Sequence, residues 1–178
     1  MPRIQLPPES ELTDAQRIVW DAAIAGRRGR VPAPLTAWLA SPELADRAQR
    51  LGEFVRYQTS LPPRLSELAI LVTARHWKAQ YEWFVHKTEA LKAGVEPDTI
   101  DAIAHRRPPA FTRESDELVY QFTRSVHQNH EVDADLYHRA VAALGERAVV
   151  ELIGIIGYYS LVAMTLNVFE IGVVPQLE

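Results

Sequence analysis

The chain has 178 residues, of which 47% are hydrophobic and 24% charged, and its formal net charge is -4 at pH 7. This length suits one domain with a substantial core, and the acidic balance argues against a general nucleic-acid-binding protein. The sequence contains no cysteine, which excludes disulfides, thiolate metal sites and every peroxidase mechanism that depends on a thiol.

Apolar residues at helical spacing, with capping residues before them, predict an all-α chain. Thr13 or Asp14 precedes the first apolar run, and Ser60 is a candidate cap for the third helix. Pro32 and Pro34 leave a loop or a short helical turn between the first two helices, because residues before proline avoid helical geometry. No stretch alternates with the period of two that is typical of a strand. About seven or eight helices are expected, over residues 13–28, 41–57, 60–76, 78–93, 97–105, 112–127, 133–144 and 146–170.

The last predicted helix contains the run LIGIIGYYSLVAMTLNVF at 152–169, which is about as long as a bilayer span. Glycine and polar residues dilute this run, and the flanking Glu151 and Glu170 are acidic rather than basic. We therefore predict a buried core or subunit-interface helix, and no membrane partner. The N-terminal MPRIQLPPESEL has no apolar signal core, so a cytoplasmic protein is expected.

The segment AQYEWFVH at 79–86 places Glu82 and His86 one helical turn apart, on the same face. Glu67 lies within the preceding helix among apolar neighbours, where a carboxylate needs a partner. If the two helices form a hairpin, both carboxylates can reach His86, fix its tautomer and make a competent proton donor and acceptor. The alternative is that Glu82 and His86 form a surface pair, while Glu67 contacts an arginine across an interface.

Three segments around these residues resemble the carboxymuconolactone decarboxylase family, which also contains the alkylhydroperoxidase D-like proteins. The resemblance covers roughly residues 40–125 and implies a helical bundle of that type, in trimers or hexamers. We expect an N-terminal arm and first helix at 1–40, followed by the family-like helical domain at 41–178. The segments are LPPRLSELAILVTAR at 61–75, AQYEWFVHKTEALKAGV at 79–95 and EPDTIDAI at 96–103.

The two branches of this family imply different chemistry. In the peroxidase-like branch a Glu is followed by a Cys-x-x-Cys pair and then by a His on the same helix. The matching positions here are Glu67, Ala79, Glu82 and His86, so both thiols are absent and that route has no nucleophile. The decarboxylase branch keeps an E-x-x-x-H pair, as Glu82 and His86 do.

The decarboxylase resemblance implies a lyase of aromatic degradation that removes CO2 from a carboxylated muconolactone without a metal or another cofactor. His86 would be the general acid, supported by Glu67 or Glu82. Two alternatives stay open: another His/Glu proton transfer, such as an isomerisation or hydrolysis of a small acid, and a non-catalytic binding or scaffold oligomer. The candidates for binding the substrate are Arg56, Arg75, Tyr81, Trp83 and Tyr158.

Two further clusters are interpreted without a functional role. His127 and His130, with Glu131 and His138, could suggest a metal site, but histidines also favour the end of a helix. We predict no metal site. The basic run GRRGR at 26–30 follows a helix and is interpreted as solvated charge, outside the site.

Overall fold

The computed structural model describes residues 2–172, and within them the chain forms nine α-helices and one 3-10 turn at Glu9–Glu11. The all-α prediction is confirmed. The count is slightly above seven or eight because the proline-rich segment after the first helix forms a single separate turn. The helices are α1 Asp14–Ala25, α2 Leu35–Trp38, α3 Pro42–Tyr57, α4 Pro63–Trp77, α5 Gln80–Lys92, α6 Pro97–Ala104, α7 Glu114–Asn129, α8 Ala134–Leu144 and α9 Glu146–Val168.

Helix α4 is the centre of the fold. Every residue from Leu65 to Ala74 is buried, and the helix packs against α5, α6, α7 and α9. A helix that is apolar around its whole circumference is stable only when other helices surround it. Buried residues of the N-terminal segment, such as Val19 and Trp38, belong to the same hydrophobic cluster as Leu68. The N-terminal segment therefore shares the core of the bundle.

Of the two predicted helix caps, Thr13 is confirmed by the structure and Ser60 is not. Thr13 and Gln16 form the reciprocal capping box of α1, with Thr13 N donating to Gln16 Oε1 at 3.0 Å. The prediction that Ser60 caps α4 is wrong, because α4 begins only after Pro62. The N–H and hydroxyl of Ser60 instead donate to Oε2 of Glu151, at 2.6 Å each.

A two-residue turn joins α4 to α5. Lys78 has the left-handed φ of 54°, and the N–H of Ala79 donates to the carbonyl of Ala74 at 2.9 Å. This geometry closes a helix and reverses the chain. The two helices pack against each other along their length, so the predicted hairpin is present, and it brings residues of α4 opposite residues of α5.

Helix α9 is long and apolar enough to cross a bilayer, and 61% of its most apolar stretch is buried inside the protein. It packs against α3, α4 and α8. Trp38 Nε1 donates to Thr165 Oγ1 at 2.8 Å, which connects α9 to the N-terminal segment. These contacts are those of a core helix in a helical bundle.

Candidate functional site

His86 and Glu67 form a buried hydrogen-bonded pair across the α4–α5 hairpin. His86 Nδ1 lies 2.7 Å from Glu67 Oε2, and the residues are only 4% and 8% exposed. A carboxylate can only accept a hydrogen bond, so Nδ1–H is the donor and Nε2 is left to act on a ligand. Both the burial of His86 and this partner contradict the alternative of a surface pair with Glu67 bound to an arginine.

Glu82 lies on the same helix, one turn before His86, and is 2% exposed. Neither of its carboxyl oxygens has a hydrogen-bond partner among residues 2–172, so the expected bond to His86 is not formed. Burial raises the pKa of Glu82 well above its ordinary value, since an unpaired carboxylate is costly in an apolar environment. The Glu82 carboxyl group is therefore suited to carry its own proton, separate from the proton in the hydrogen bond between His86 and Glu67.

A cavity of about 250 Å³ lies between α3, α5, α9 and the loop that follows α1, and both Glu82 and His86 line it. Its apolar wall comes from Val85, Val162 and Leu166, together with prolines of the loop. Such a mixture of apolar wall and converging polar groups is typical of small-molecule sites. The other polar lining residues are Arg27, Arg28, Arg30, Arg56, Tyr57, Tyr81, Tyr158 and Tyr159.

Three of the five predicted binding residues, Arg56, Tyr81 and Tyr158, line this cavity, whereas Arg75 and Trp83 do not. Trp83 follows Glu82 directly and therefore points about 100° away around α5, where it is buried and lines another pocket together with residues of α6. Arg75 lines a different concavity at the end of α4.

The sequence interpretation missed the arginines of GRRGR. Arg27, Arg28 and Arg30 line the cavity, although this run was interpreted as solvated charge outside the site. The guanidinium of Arg27 lies over the Tyr57 ring, 4.6 Å from its centre, and Arg28 Nη2 donates to the carbonyl of Gly52 at 3.3 Å. The three clustered arginines were a sequence signal for anion binding, but their position at the cavity depends on the packing of α1 on α3.

Tyr159 was also missed, because the sequence reasoning selected its neighbour Tyr158. The Tyr159 ring meets the His86 ring edge to face, with 4.9 Å between their centres. Its hydroxyl is buried and has no hydrogen-bond partner among the described residues. Burial raises the pKa of Tyr159 far above its ordinary value, with Arg56 opposing this in part. The hydroxyl therefore remains a proton-bearing donor.

Tyr158 occupies a crowded position beside the cavity. Burial raises the pKa of its hydroxyl, and the guanidinium of Arg28 opposes that shift. A Cβ atom added at Gly52 would collide with the Tyr158 hydroxyl, so the glycine allows this close approach. The arginines and the two tyrosine hydroxyls offer donors to an oxygen-rich anion, and the raised pKa of Glu82 favours a protonated carboxyl group that can also donate.

Residues 2–172 contain no group of three or more His, Asp or Glu side chains placed to hold a metal ion. His127, one of the histidines considered above, is buried. Its Nε2 lies 3.0 Å from Thr73 Oγ1, and its ring stacks on His76.

Residues 42–118 match the carboxymuconolactone decarboxylase family, and no curated protein matches the chain. Similar solved structures include an uncharacterized peroxidase-related protein from Silicibacter sp. TM1040, with 13% identity, 96% of this chain and 90% of that chain covered, and a TM-score of 0.75. Another is the alkylhydroperoxidase AhpD core protein of Ralstonia eutropha JMP134, with 16% identity, coverage of 98% and 92%, and a TM-score of 0.77.

The debrominase Bmp8, solved as a variant in complex with 2,3,4-tribromopyrrole, has 15% identity, coverage of 98% and 91%, and a TM-score of 0.73. Identities this low show a shared fold. The family match includes Glu67, Glu82 and His86, and the AhpD-like fold extends over nearly the whole chain. Residues 42–118 are therefore similar to the carboxymuconolactone decarboxylase family, and the chain shares its helical fold with these AhpD-like structures.

Proposed function

We propose that this protein is a cofactor-free enzyme that decarboxylates a small carboxylated lactone by His/Glu acid–base chemistry. The observation that carries the proposal is the pairing of two different titratable groups in one cavity. His86 has Nδ1 committed to Glu67 and Nε2 available, while Glu82 is a buried acid without a hydrogen-bond partner among residues 2–172. Titratable groups that lie in different surroundings within one cavity are typical of acid–base sites.

The arginines around the cavity would bind the carboxylates of the substrate. Arg28 comes from the loop after α1, and Arg56 comes from α3. Guanidinium forks bind carboxylates through two parallel hydrogen bonds. A substrate with more than one carboxylate would therefore be held in one orientation, with its reacting carbon towards α5.

In the decarboxylation, the bond between the ring carbon and the leaving carboxylate breaks, and CO2 departs. The electron pair moves into the conjugated lactone, and the same carbon system then takes one proton. Glu82 and His86 would supply that proton, with Glu67 holding the orientation of His86. The unpaired hydroxyl of Tyr159 would stabilise the developing negative charge on oxygen.

The test is turnover of a carboxylated muconolactone by the wild type, His86→Ala and Lys87→Ala, with the products identified by mass. Lys87 is exposed on the same helix and does not line the cavity, so Lys87→Ala is the matched control. We expect product lighter by CO2 from the wild type and Lys87→Ala, and loss of most of this activity in a folded His86→Ala. Equal rates in all three would contradict the role of His86 and favour a structural network instead.

A second candidate is a proton-shift isomerase acting on the same class of small acid. Isomerisation needs a base to remove a proton and an acid to deliver one, and His86 Nε2 with Glu82 supplies both. Decarboxylation needs only the acid. A product of unchanged mass in H2O, which carries one deuterium at carbon when the reaction is run in D2O, would identify the isomerase.

We also propose that the protein works as a homo-oligomer, a trimer or hexamer, in the cytoplasm. Exposed apolar residues of α9, namely Val150, Ile153, Met164 and Val168, lie within an arc of about 60° around the helix. A second copy covering this stripe is the simplest partner. Ile153→Glu should lower the mass measured by analytical ultracentrifugation, and a monomeric wild type would contradict the proposal.

A further inference from the structure

A second concavity, of about 270 Å³, lies where the C-terminal ends of α4, α6 and α7 meet. Among the residues that the structure describes, no carboxylate lines it, whereas four arginines do: Arg75, Arg106, Arg107 and Arg124. We call it the arginine concavity. It shares no lining residue with the cavity around His86, so any ligand here would be separate from the catalytic substrate.

The arginine concavity has more positive charge than the neighbouring carboxylate and helix C-terminal ends can neutralise. Arg107 is paired with Asp101, which leaves three guanidinium groups. The C-terminal ends of the three helices together contribute on the order of one and a half negative charges. A comparable amount of positive charge therefore stays uncompensated.

Arg75 shows the same imbalance at the level of one side chain. Its Nε is buried and has no hydrogen-bond partner among the described residues. Burial and the nearby charge of Arg106 both lower the pKa of Arg75. An anion between Arg75 and Arg106 would provide the missing acceptor and relieve this repulsion.

A stacked pair of histidines forms another part of the lining. The rings of His76 and His127 are 4.3 Å apart and nearly parallel, at 15°. The Thr73 hydroxyl donates to the carbonyl of Ala69 and so accepts from His127 Nε2–H. Burial lowers the pKa of His127 to about 4, so this ring is neutral near pH 7. A bound anion would favour protonation of the pair.

The remaining lining is partly apolar, from Val72, Ile103 and Tyr120. The volume is at the small end of the range for ligand sites, which fits a small metabolite. We propose that the arginine concavity binds a phosphate group carried by a small organic molecule, with the apolar wall contacting its carbon part. Arginine forks recognise phosphate oxygens through paired hydrogen bonds.

The test is calorimetric titration of the full chain with phenyl phosphate, inorganic phosphate and succinate, each against sodium chloride of equal ionic strength. Arg106 has a left-handed φ of 56°, which glycine adopts freely, so Arg106→Gly removes the guanidinium without straining the backbone. Lys78→Gly is the matched control, because Lys78 has a φ of 54°, carries the same charge and lies outside the concavity.

We expect saturable binding of phenyl phosphate to the wild type and to Lys78→Gly, and binding about tenfold weaker or more in Arg106→Gly. Inorganic phosphate should compete, and the ring signals of His127 in the NMR spectrum should shift on titration. No saturable binding beyond the chloride control, or equal affinity in the two variants, would overturn the proposal. Tighter binding of succinate than of phenyl phosphate would overturn the assignment to phosphate.

Discussion

Glu82 and Glu151 are both buried glutamates, but their carboxyl groups have opposite surroundings. Glu82 is 2% exposed, and its oxygens have no partner among the described residues. Glu151 is 7% exposed and accepts two bonds of 2.6 Å from Ser60 and one of 2.8 Å from Arg147. Replacement of each glutamate by leucine should therefore change stability in opposite directions.

Glu82→Leu removes an unsatisfied polar group and should raise the free energy of unfolding by about 1–3 kcal/mol. At this chain length each kcal/mol shifts the melting temperature by roughly 2–4 °C. Glu151→Leu removes the acceptor of both Ser60 donors, and because Ser60 is exposed and these donors can then bind water, it should lower the free energy of unfolding by about 1 kcal/mol. The bond from Arg147 adds little to that figure, because its side chain is 74% exposed.

The assay is differential scanning calorimetry of Glu82→Leu and Glu151→Leu. The stability of the wild type and of Glu82→Gln is also measured as a function of pH. Burial raises the pKa of Glu82 above 4.5, so the folded protein holds a proton that the unfolded chain releases above that pH. The wild type therefore loses stability as pH rises above 4.5 towards the raised pKa of the folded state, and Glu82→Gln does not share that loss. Destabilisation of Glu82→Leu by as much as Glu151→Leu would refute the reasoning. A stabilised and inactive Glu82→Leu would show the trade-off expected of a catalytic carboxyl group.

Two further predictions concern buried groups. Burial lowers the pKa of His127 to about 4, so between pH 6.5 and 4 only the unfolded chain binds a proton at this residue. The free energy of unfolding should therefore fall by up to about 3 kcal/mol over that range, in the wild type and in the exposed control His138→Gln. Urea unfolding measures this loss, and the same loss in His127→Gln would contradict the prediction. Gly52→Ala should displace the Tyr158 hydroxyl and lower the melting temperature. Gly154→Ala, whose Cβ would meet its nearest neighbour at 3.8 Å, should be neutral or stabilising by up to about 1 kcal/mol, and equal effects of the two changes would contradict the crowding.

The elements that the sequence predicts well are those determined by local chemistry. Helical spacing, the cap at Thr13 and the break between the third and fourth predicted helices lie within short segments. The hairpin between α4 and α5 follows from the short turn at that break. It brings Glu67 to His86, which made their contact predictable. Ser60 was misassigned because a residue near a helix start can instead bind a distant carboxylate, that of Glu151.

The wall of the cavity depended on contacts between distant segments. Arg27 and Arg28 come to the cavity through the packing of α1 on α3, and no local pattern specifies that packing. Periodicity placed Glu82 and His86 on one face of α5, but it does not decide whether they bond to each other. Within the described part of the chain Glu82 has no hydrogen-bond partner, and this single feature changes its role from support for His86 to a candidate proton donor.

The central claim is that His86 and Glu82 transfer a proton to carbon in a small carboxylated substrate. Its most direct test is incubation of the enzyme with a carboxylated muconolactone in D2O, followed by mass analysis of the product. The wild type should release CO2 and place one deuterium on carbon, and both signals should be lost together in folded His86→Gln and Glu82→Gln variants. Release of CO2 with deuterium incorporation at the wild-type rate in both variants would contradict it.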